Sequence, residues 1–464
     1  MTTAPGELPR LAVVFDPRAT LSFRFAEASS GIWETLWLVD TLRYDIGPML
    51  RLLARLGTVI DIGALEPGEV ADRLAPFRPA GIIAFVDSEL VRTALIASAA
   101  GLRFYSPEVA LRLTSKVEQR AALARSGLPV PKFWALTARA DDATKRQVAE
   151  AARYPVIVKP QAGAGSRRTY RAVDATDLLR WLAPLADDAD DELADVVVEE
   201  LLVDGWPRDS REYADLVSVE SVAQDGCVTH LTVTGRLTFA EPFRESGSFI
   251  PSNLPDHTLA AVRVLASQAI HALGAATNGV FHTEIKITPE GPRIVEVNGR
   301  IGGRTPELLA TCSEVRLFEL AARVALGLPI NVDAMPSAND AMPSANDAMP
   351  SSNDSAPTIN GVGYLAWVQP PMSATSLVKL DGVEEVAASE GVVDVVVNKR
   401  PGDELDWRDG NAGFLIAVLG WAPDHDAMFA ARRRISDAID VEYGYIGTEA
   451  AVRFAHSDTD GRPQ

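Results

Sequence analysis

The stretch HTEIKITPEGPRIVEVNGRIGGR, residues 282–304, sets carboxylates and an amide among apolar residues. A Pro-Glu-Gly-Pro turn at 289–292 joins two strand-like runs, which predicts a hairpin. Glu284 lies on the first run, ahead of Ile285 and Ile287. Glu296 and Asn298 lie two apart on the second run and therefore share one strand face. Carboxylate and amide oxygens on adjacent strands make a hard-cation site, and Mg2+ takes such oxygens together with phosphates and waters. Arg300 joins that face if the strand continues. The plainer reading is a hairpin with a polar solvent face. Against it, isolated acidic residues inside apolar strands are costly unless they face a site.

Two further stretches carry chemistry. In YPVIVKPQAGAGSRRTYRAV, residues 154–173, a strand pattern carries Lys159 near its end and runs into a loop holding Gly163 and Gly165. Glycines let backbone N–H groups approach phosphate oxygens, and Ser166 adds a hydroxyl. Arg167, Arg168 and Arg171 add positive charge. No Gly-Lys-Ser/Thr closes the loop, so it is not a Walker A loop, and a Gly-rich hairpin with solvated arginines explains it equally well. In VVVEELL, residues 196–202, an apolar strand runs into Glu199 and Glu200. Either both glutamates are exposed at a strand end, or the segment offers backbone C=O and N–H groups to a purine edge.

The elements that position these residues follow a clear order. Residues 11–110 alternate apolar strand-like runs (Leu11–Phe15, Thr58–Ile62, Gly81–Phe85) with helical patterns (Met49–Leu56, Gly68–Leu74, Glu89–Ala100). That alternation predicts a parallel sheet flanked by helices. No GxGxxG follows the first strand, so a dinucleotide site there lacks support. Residues 107–126 read as one helix between Pro107 and Gly127. Strands are then expected at Val156–Lys159, Val196–Glu199, Leu216–Val222, Val228–Leu237, Gly279–Ile287 and Arg293–Val297, with helices at 174–184, 257–273 and 305–327. Residues 333–353 repeat DAMPSAN, DAMPSAN, DAMPSSN. Pro336, Pro343 and Pro350 exclude a coiled coil, and the polar composition reads as a disordered linker over 331–358; an ordered surface loop is the alternative. Strand patterns resume at Gly363–Val368, Val392–Asn398 and Phe414–Gly420, followed by a helix at 424–439.

Composition excludes several classes. Hydrophobic residues make up 47% and charged residues 23%, so the chain is globular rather than fibrous or disordered. No apolar run approaches the ~18 residues of a membrane helix. Residues 1–30 lack the pattern of a secretory signal. Two cysteines, Cys227 and Cys312, cannot build a disulfide framework or a cysteine metal site, and a cytoplasmic location fits. The net charge of −19 argues against nucleic acid or an anionic membrane as partner, but not against a small phosphorylated ligand in a local basic pocket.

Together these elements resemble the ATP-grasp family. LTSKVEQRAALARSGLPVP is similar to the helix that presents a first nucleotide lysine, here Lys116, and VIVKP to the strand carrying the second, Lys159. GAGSRR resembles the mobile phosphate loop, with Arg168 where a glycine is common; this implies nucleotide contacts at Gly165 and Ser166. VVVEELL resembles the hinge, implying adenine contacts at Glu199, Glu200 and Leu202. Glu212, after the unusually long loop DGWPRDS, resembles the ribose-binding glutamate. The hairpin implies that Glu284, Glu296 and Asn298 hold Mg2+ (Mn2+ is the alternative) and that Arg300 stabilises the transferring phosphoryl group.

Within the family the chain is similar to L-amino acid ligases of the bacilysin type. The resemblance rests on VNGRIGGR, on EPFRESGSFIPSNLP and on the segments around NGVGYLAW and VVVNKRPGDELDWRDG. Many relatives carry Gly-His-x-x-Pro where this chain has Gly247-Ser248-Phe249-Ile250-Pro251; the resemblance implies that Ser248 and Arg304 lie at the substrate. Phe243 and Phe249 either line an apolar wall there or belong to the core.

The expected fold is α/β and α+β multidomain: an N-terminal parallel-sheet α/β domain (1–112), an ATP-grasp domain (113–330), the repeat linker (331–358) and a C-terminal α+β domain (359–455). The resemblance implies ATP-dependent joining of a carboxylate and an amine, both small amino-acid-like molecules, through an acyl phosphate. A biotin-carboxylase-like enzyme and a non-catalytic ATP-binding regulator are the alternatives, and a homodimer is left open. No nucleophile-elbow motif is present, and the ligase route needs none.

Deleting residues 333–353 is expected to leave ATP-dependent activity largely unchanged. Shortening a flexible connection alters closure entropy by only about 1 kcal/mol. Activity and melting temperature of the deletion protein check this; lost activity or a melting point lower by many degrees would make the repeat structural.

Overall fold

The computed structural model describes residues 7–17, 21–29, 31–183, 195–205, 212–330 and 358–445. The repeat at 333–353 and the chain after 445 lie outside the described residues.

The N-terminal part is a parallel sheet of β1 (Arg10–Val14), β2 (Glu34–Val39), β3 (Thr58–Asp61) and β4 (Gly81–Ala84), in the order β3-β2-β1-β4. The strand β2 was not anticipated from the sequence. Helices α1 (Leu21–Glu27), α2 (Gly47–Leu56), α3 (Pro67–Leu74) and α4 (Asp87–Ala100) connect the strands. Strand alternation divides the apolar side chains between two cores. Ala12, Val14, Leu36 and Leu38 join the core that contains α3 and α4. Leu11, Val13, Trp37 and Val39 join the core on the opposite face.

The single helix expected over 107–126 is two, α5 (Pro107–Thr114) and α6 (Lys116–Arg125), broken at an extended Ser115. The Ser115 hydroxyl accepts the Glu118 N–H, so the Ser-x-x-Glu sequence acts as a helix start. The break makes Lys116 the first residue of α6, with its N–H bonded to Gln161 O.

A second sheet, antiparallel and in the order β5-β8-β6-β7, follows: β5 (Phe133–Leu136), β6 (Val156–Pro160), β7 (Tyr170–Ala172) and β8 (Val196–Glu200). Helices α7 (Asp142–Ala151) and α8 (Ala175–Leu182) cover it. The large sheet begins with β9 (Tyr213–Gln224), β10 (Cys227–Leu237) and β11 (Gly247–Ile250). After α9 (Asp256–Ala272) come β12 (Asn278–Thr288) and β13 (Gly291–Asn298). The helix expected over 305–327 is interrupted at an extended Ser313, giving α10 (Thr305–Cys312) and α11 (Leu317–Leu326).

The C-terminal part supplies β14 (Val362–Val368), β15 (Ala374–Asp381), α12 (Val383–Ala387), β16 (Val392–Val397), a 3-10 segment (Trp407–Gly413), β17 (Ile416–Ala422), α13 (His425–Ala438) and β18 (Asp440–Tyr445). Three of its strands continue the large sheet, whose order is β13-β12-β9-β10-β11-β14-β17-β16. The division expected between 330 and 359 is therefore not a sheet boundary. Leu365 and Leu419 also pack in the same core as Leu11 and Trp37, which ties the C-terminal strands to the N-terminal sheet.

One edge of the large sheet is β13, and a side chain closes part of it. Gln119 on α6 donates from Nε2 to Val297 O (2.9 Å) and accepts the Val297 N–H at Oε1 (2.8 Å). Gln119 is buried, so both backbone groups of Val297 depend on it. Gln119→Leu is expected to destabilise the protein by about 2–4 kcal/mol, because two buried backbone groups lose their partners. The urea unfolding midpoint checks this.

Candidate functional site

Alternation along two neighbouring strands puts opposite charges on one face. In β6, Val156 and Val158 enter the small-sheet core, so Ile157 and Lys159 face the other way; in β8, Val196 and Val198 do the same, leaving Val197 and Glu199. Lys159 Nζ lies 2.8 Å from Glu199 Oε2. Arg120 of α6 meets the same carboxylate through Nε (2.9 Å) and Nη2 (3.3 Å) and donates to Val295 O of β13. Burial alone would raise the Glu199 pKa; Arg120 and Lys159 overcome it and hold the carboxyl at about 2. Burial lowers the Lys159 pKa, with Glu199 opposing. Lys116 Nζ donates to Gly163 O (2.9 Å) and lies 3.1 Å from Glu296 Oε1.

These groups line one cavity. The Gly-rich loop forms a second wall, through Gly163, Gly165 and Ser166. Its backbone takes positive φ at Gly163 (121°), Gly165 (70°), Ser166 (56°) and Arg168 (47°), which turns successive peptide groups sharply. The third wall is the hairpin. Glu284 pairs in register with Glu296, and His282 with Asn298, so the sequence-expected acidic pair does face one space. Asn298 Nδ2 donates to His282 O (3.2 Å), which leaves its oxygen toward Arg300 (Nη2 at 3.4 Å). β13 ends at Asn298, yet Arg300 still lines the cavity. Asp87, at the start of α4, holds it: Oδ2 accepts from Arg300 Nε (2.9 Å) and Nη2 (2.8 Å).

Behind the hairpin lies a buried polar set that sequence reasoning missed. His282 Nδ1 sits 2.9 Å from Glu220 Oε2, and its Nε2 lies 3.2 Å from Arg236 Nη2 and 3.5 Å from Glu284 Oε1. Burial opposes charge on His282, but Glu220 outweighs it and lifts the imidazole pKa to about 9. Burial likewise opposes the Glu284 carboxylate, and His282 holds it at about 2. Arg236 Nε is 3.1 Å from Glu245, another cavity residue. Alternation in β9, β10 and β12 places Glu220, Arg236 and His282 on the cavity side. Their meeting depends on strand register (Glu220 opposite His282), which pattern alone does not supply.

Not every expected residue joins the site. Glu200 and Leu202 line the cavity, but the N–H groups of Glu200 and Leu201 are taken by Lys132 O and Pro155 O. Glu199 faces its cations rather than presenting a free edge, and its backbone is paired within the sheet. Glu212, just before β9, does not line the cavity; it pairs with Arg433 of the C-terminal helix α13 (2.7 Å). Ser248 is buried in β11 between Arg236 and Leu365 and also lies outside the cavity lining. Arg304 sits just before α10 with no side-chain bond to the helix start, and pairs with Asp394 of β16 (3.1 Å) instead of lining the cavity. Phe243 lines the cavity, whereas Phe249 packs in the core against His425 and Phe429.

Two carboxylates and an amide oxygen suit a hard cation that completes its shell with phosphate and water. Among the described residues no group of three or more His, Cys, Asp or Glu side chains is gathered for a metal ion. Among the described residues, no helix is long and apolar enough to cross a membrane.

The family model of the ATP-grasp domain matches residues 152–306. The uncharacterized protein y4rH of Sinorhizobium fredii is 25% identical over 409 residues, covering 86% of this chain and 76% of that protein. A D-alanine–D-alanine ligase of an Arthrobacter species is 25% identical over 373 residues, covering 66% of this chain and 89% of the ligase. The solved structure of an L-amino acid ligase from Bacillus licheniformis superposes with a TM-score of 0.70 at 19% identity, over 94% of this chain and 99% of that one.

Glu199→Gln leaves Lys159 and Arg120 buried with no carboxylate between them, and is expected to destabilise the fold at pH 7 by about 3 kcal/mol. A carboxyl lowered from 4.5 to about 2 contributes fully above pH 4.5 and loses that contribution as pH falls toward 2. The difference between the two proteins in urea unfolding is therefore expected to shrink below pH 4.5. A difference independent of pH would separate the effect from the charge of Glu199.

Proposed function

We propose that this protein, which has the ATP-grasp fold and carries the ATP-grasp domain, is an ADP-forming carbon–nitrogen ligase that joins the carboxylate of one amino acid or amino-acid-like molecule to the amine of another. The observation that carries this reading is the facing of Lys116, Lys159 and Arg300 against Glu284, Glu296 and Asn298 across one cavity. Similarity to a D-alanine–D-alanine ligase and to an L-amino acid ligase supports the substrate class.

The chemistry is phosphoryl transfer followed by acyl transfer. A substrate carboxylate oxygen attacks the γ-phosphorus of ATP in line, and the bond to ADP breaks. The amine then attacks the acyl carbon, phosphate leaves, and the amine proton is lost to solvent or base. Such transfer needs positioning and charge neutralisation more than a covalent protein nucleophile.

Each residue has a task in that scheme. Lys159 and Lys116 bind phosphate oxygens. Lys116 is drawn from Glu296 toward the nucleotide, which frees the Glu296 carboxylate. Glu284, Glu296 and the Asn298 oxygen would hold Mg2+, which would neutralise phosphate charge; Mn2+ would take the same donors. Arg300, fixed by Asp87, meets the charge that develops on the transferring group. The amides of Gly165 and Ser166 cover the phosphates and exclude water from an acyl phosphate. Glu200 and Leu202 border the base. Ser248 and Arg304 shape the amino-acid pocket from outside the described cavity lining. The partners are small molecules, and a cytoplasmic setting supplies ATP.

The test is ADP release from paired amino acids, with product masses read by mass spectrometry. A new amide product supports the ligase. Turnover that requires bicarbonate and biotin would assign a carboxylase instead, and tight ATP binding without turnover would assign a regulator. Arg300→Ala and Glu296→Gln are each expected to lower turnover at least ~100-fold with the fold intact by circular dichroism. Near-normal turnover in either variant would remove the site.

A further inference from the structure

The segment Asp406-Trp407-Arg408-Asp409-Gly410-Asn411 reaches the Gly-rich loop from the C-terminal part of the chain. The Asn411 N–H donates to Gly165 O (2.7 Å), and the Arg168 N–H donates to Arg408 O (3.2 Å). One bond runs each way, so the two main chains are zipped together. Gly410 makes this approach possible. It has φ 64°, and a Cβ there would lie 2.2 Å from Gly165 O and 2.7 Å from Arg167 N. The contact extends through rings: Tyr170 stacks on Trp181 (4.2 Å between centroids), and Trp407 meets Tyr170 edge-on (5.5 Å).

The other side of Asn411 faces Glu245. Asn411 Oδ1 accepts the Glu245 N–H (2.8 Å), and Nδ2 donates to Glu245 Oε1 (3.2 Å). Gln369 Nε2 donates to Glu245 O (2.9 Å), which fixes the same corner. Both Glu245 and Asn411 line the cavity, and Arg236 holds the second oxygen of Glu245.

We infer that Asn411 is a positioning residue that clamps the Gly-rich loop to Glu245, so that the loop over the phosphates and the acidic wall of the cavity are set by one side chain. This rests on the reading of residues 162–168 as the phosphate cover. The two-point side-chain clamp holds segment 406–411 in place, and its backbone in turn holds the loop. Opening the loop for nucleotide entry breaks the backbone bonds at Gly165 and Arg168. Closing it re-forms them only while Asn411 is seated on Glu245. An amide is required at 411 because it must accept from a backbone N–H and donate to a carboxylate at once.

Limited trypsin digestion of the full chain without nucleotide reads the clamp, with fragments ending at Arg167 or Arg168 identified by mass. Asn411→Ala is expected to speed cleavage there about tenfold, as local opening becomes easier. Gly410→Ala drives a Cβ into Gly165 O and is expected to do the same. Asn411→Asp sets a carboxylate against Glu245 and is expected to open the loop, whereas Asn411→Asp combined with Glu245→Gln exchanges the two groups and is expected to restore protection. Asn411→Ala is further expected to raise the KM for ATP more than it lowers kcat. Unchanged cleavage in both single variants to alanine, or a double variant no better protected than Asn411→Asp, would overturn the inference. Cleavage is independent of ligation, so failure of the clamp and failure of the ligase reading are separate results.

Discussion

A buried cation needs a carboxylate, and that requirement organises this molecule. Lys116, Arg120, Lys159 and Arg300 converge on one cavity in a chain whose net charge is −19. Unpaired, such groups would cost far more than their packing returns. Three acids from three elements match these four cations: Glu296 on β13 meets Lys116, Glu199 on β8 meets both Arg120 and Lys159, and Asp87 on α4 meets Arg300. The pairs thereby stitch the N-terminal sheet, the small sheet and the large sheet together at one place. In the proposed ligase the same pairs would keep positive charge ready for phosphate oxygens, since a lysine bound to a carboxylate can exchange it for a ligand with little desolvation still to overcome.

The buried set of Glu220, His282, Arg236, Glu284 and Glu245 extends this logic behind the hairpin. Ser218 and Thr234 donate to Glu220 (2.7 and 3.0 Å), so its charge is satisfied before His282 is added. Against the cost of burial, Glu220 raises the His282 pKa and His282 lowers that of Glu284. The cavity side of the sheet is thus polar by design of three adjacent strands, while its other face stays apolar: Val217, Val219 and Ile285 are in the core.

The C-terminal strands give this arrangement its outer limit. By pairing β14 with β11 they lengthen the large sheet, and the 3-10 segment after β16 then returns across to the Gly-rich loop. A single continuous sheet therefore carries the hairpin at one end and the elements that reach the loop at the other. The apolar core shared by Leu11, Leu365 and Leu419 makes that sheet one mechanical unit with the N-terminal part.

Much of this was legible in the sequence because it is local. Period-two alternation put Glu296 with Asn298 on one strand face, and the parallel N-terminal sheet followed from apolar runs separated by helices. The Ser-x-x-Glu at Ser115 carried the helix break as well, although the flanking Pro107 and Gly127 suggested one continuous helix. What local pattern could not reach was partnership. Arg300 meets Asp87 across 213 positions, Glu212 meets Arg433 across 221 and leaves the cavity, and Asn411 meets Glu245 across 166. A side chain's type and face are written in its neighbours along the chain. Its partner is decided by register and packing, because only the folded sheets bring two distant charges within hydrogen-bond range, and short-range electrostatics count for nothing until they do.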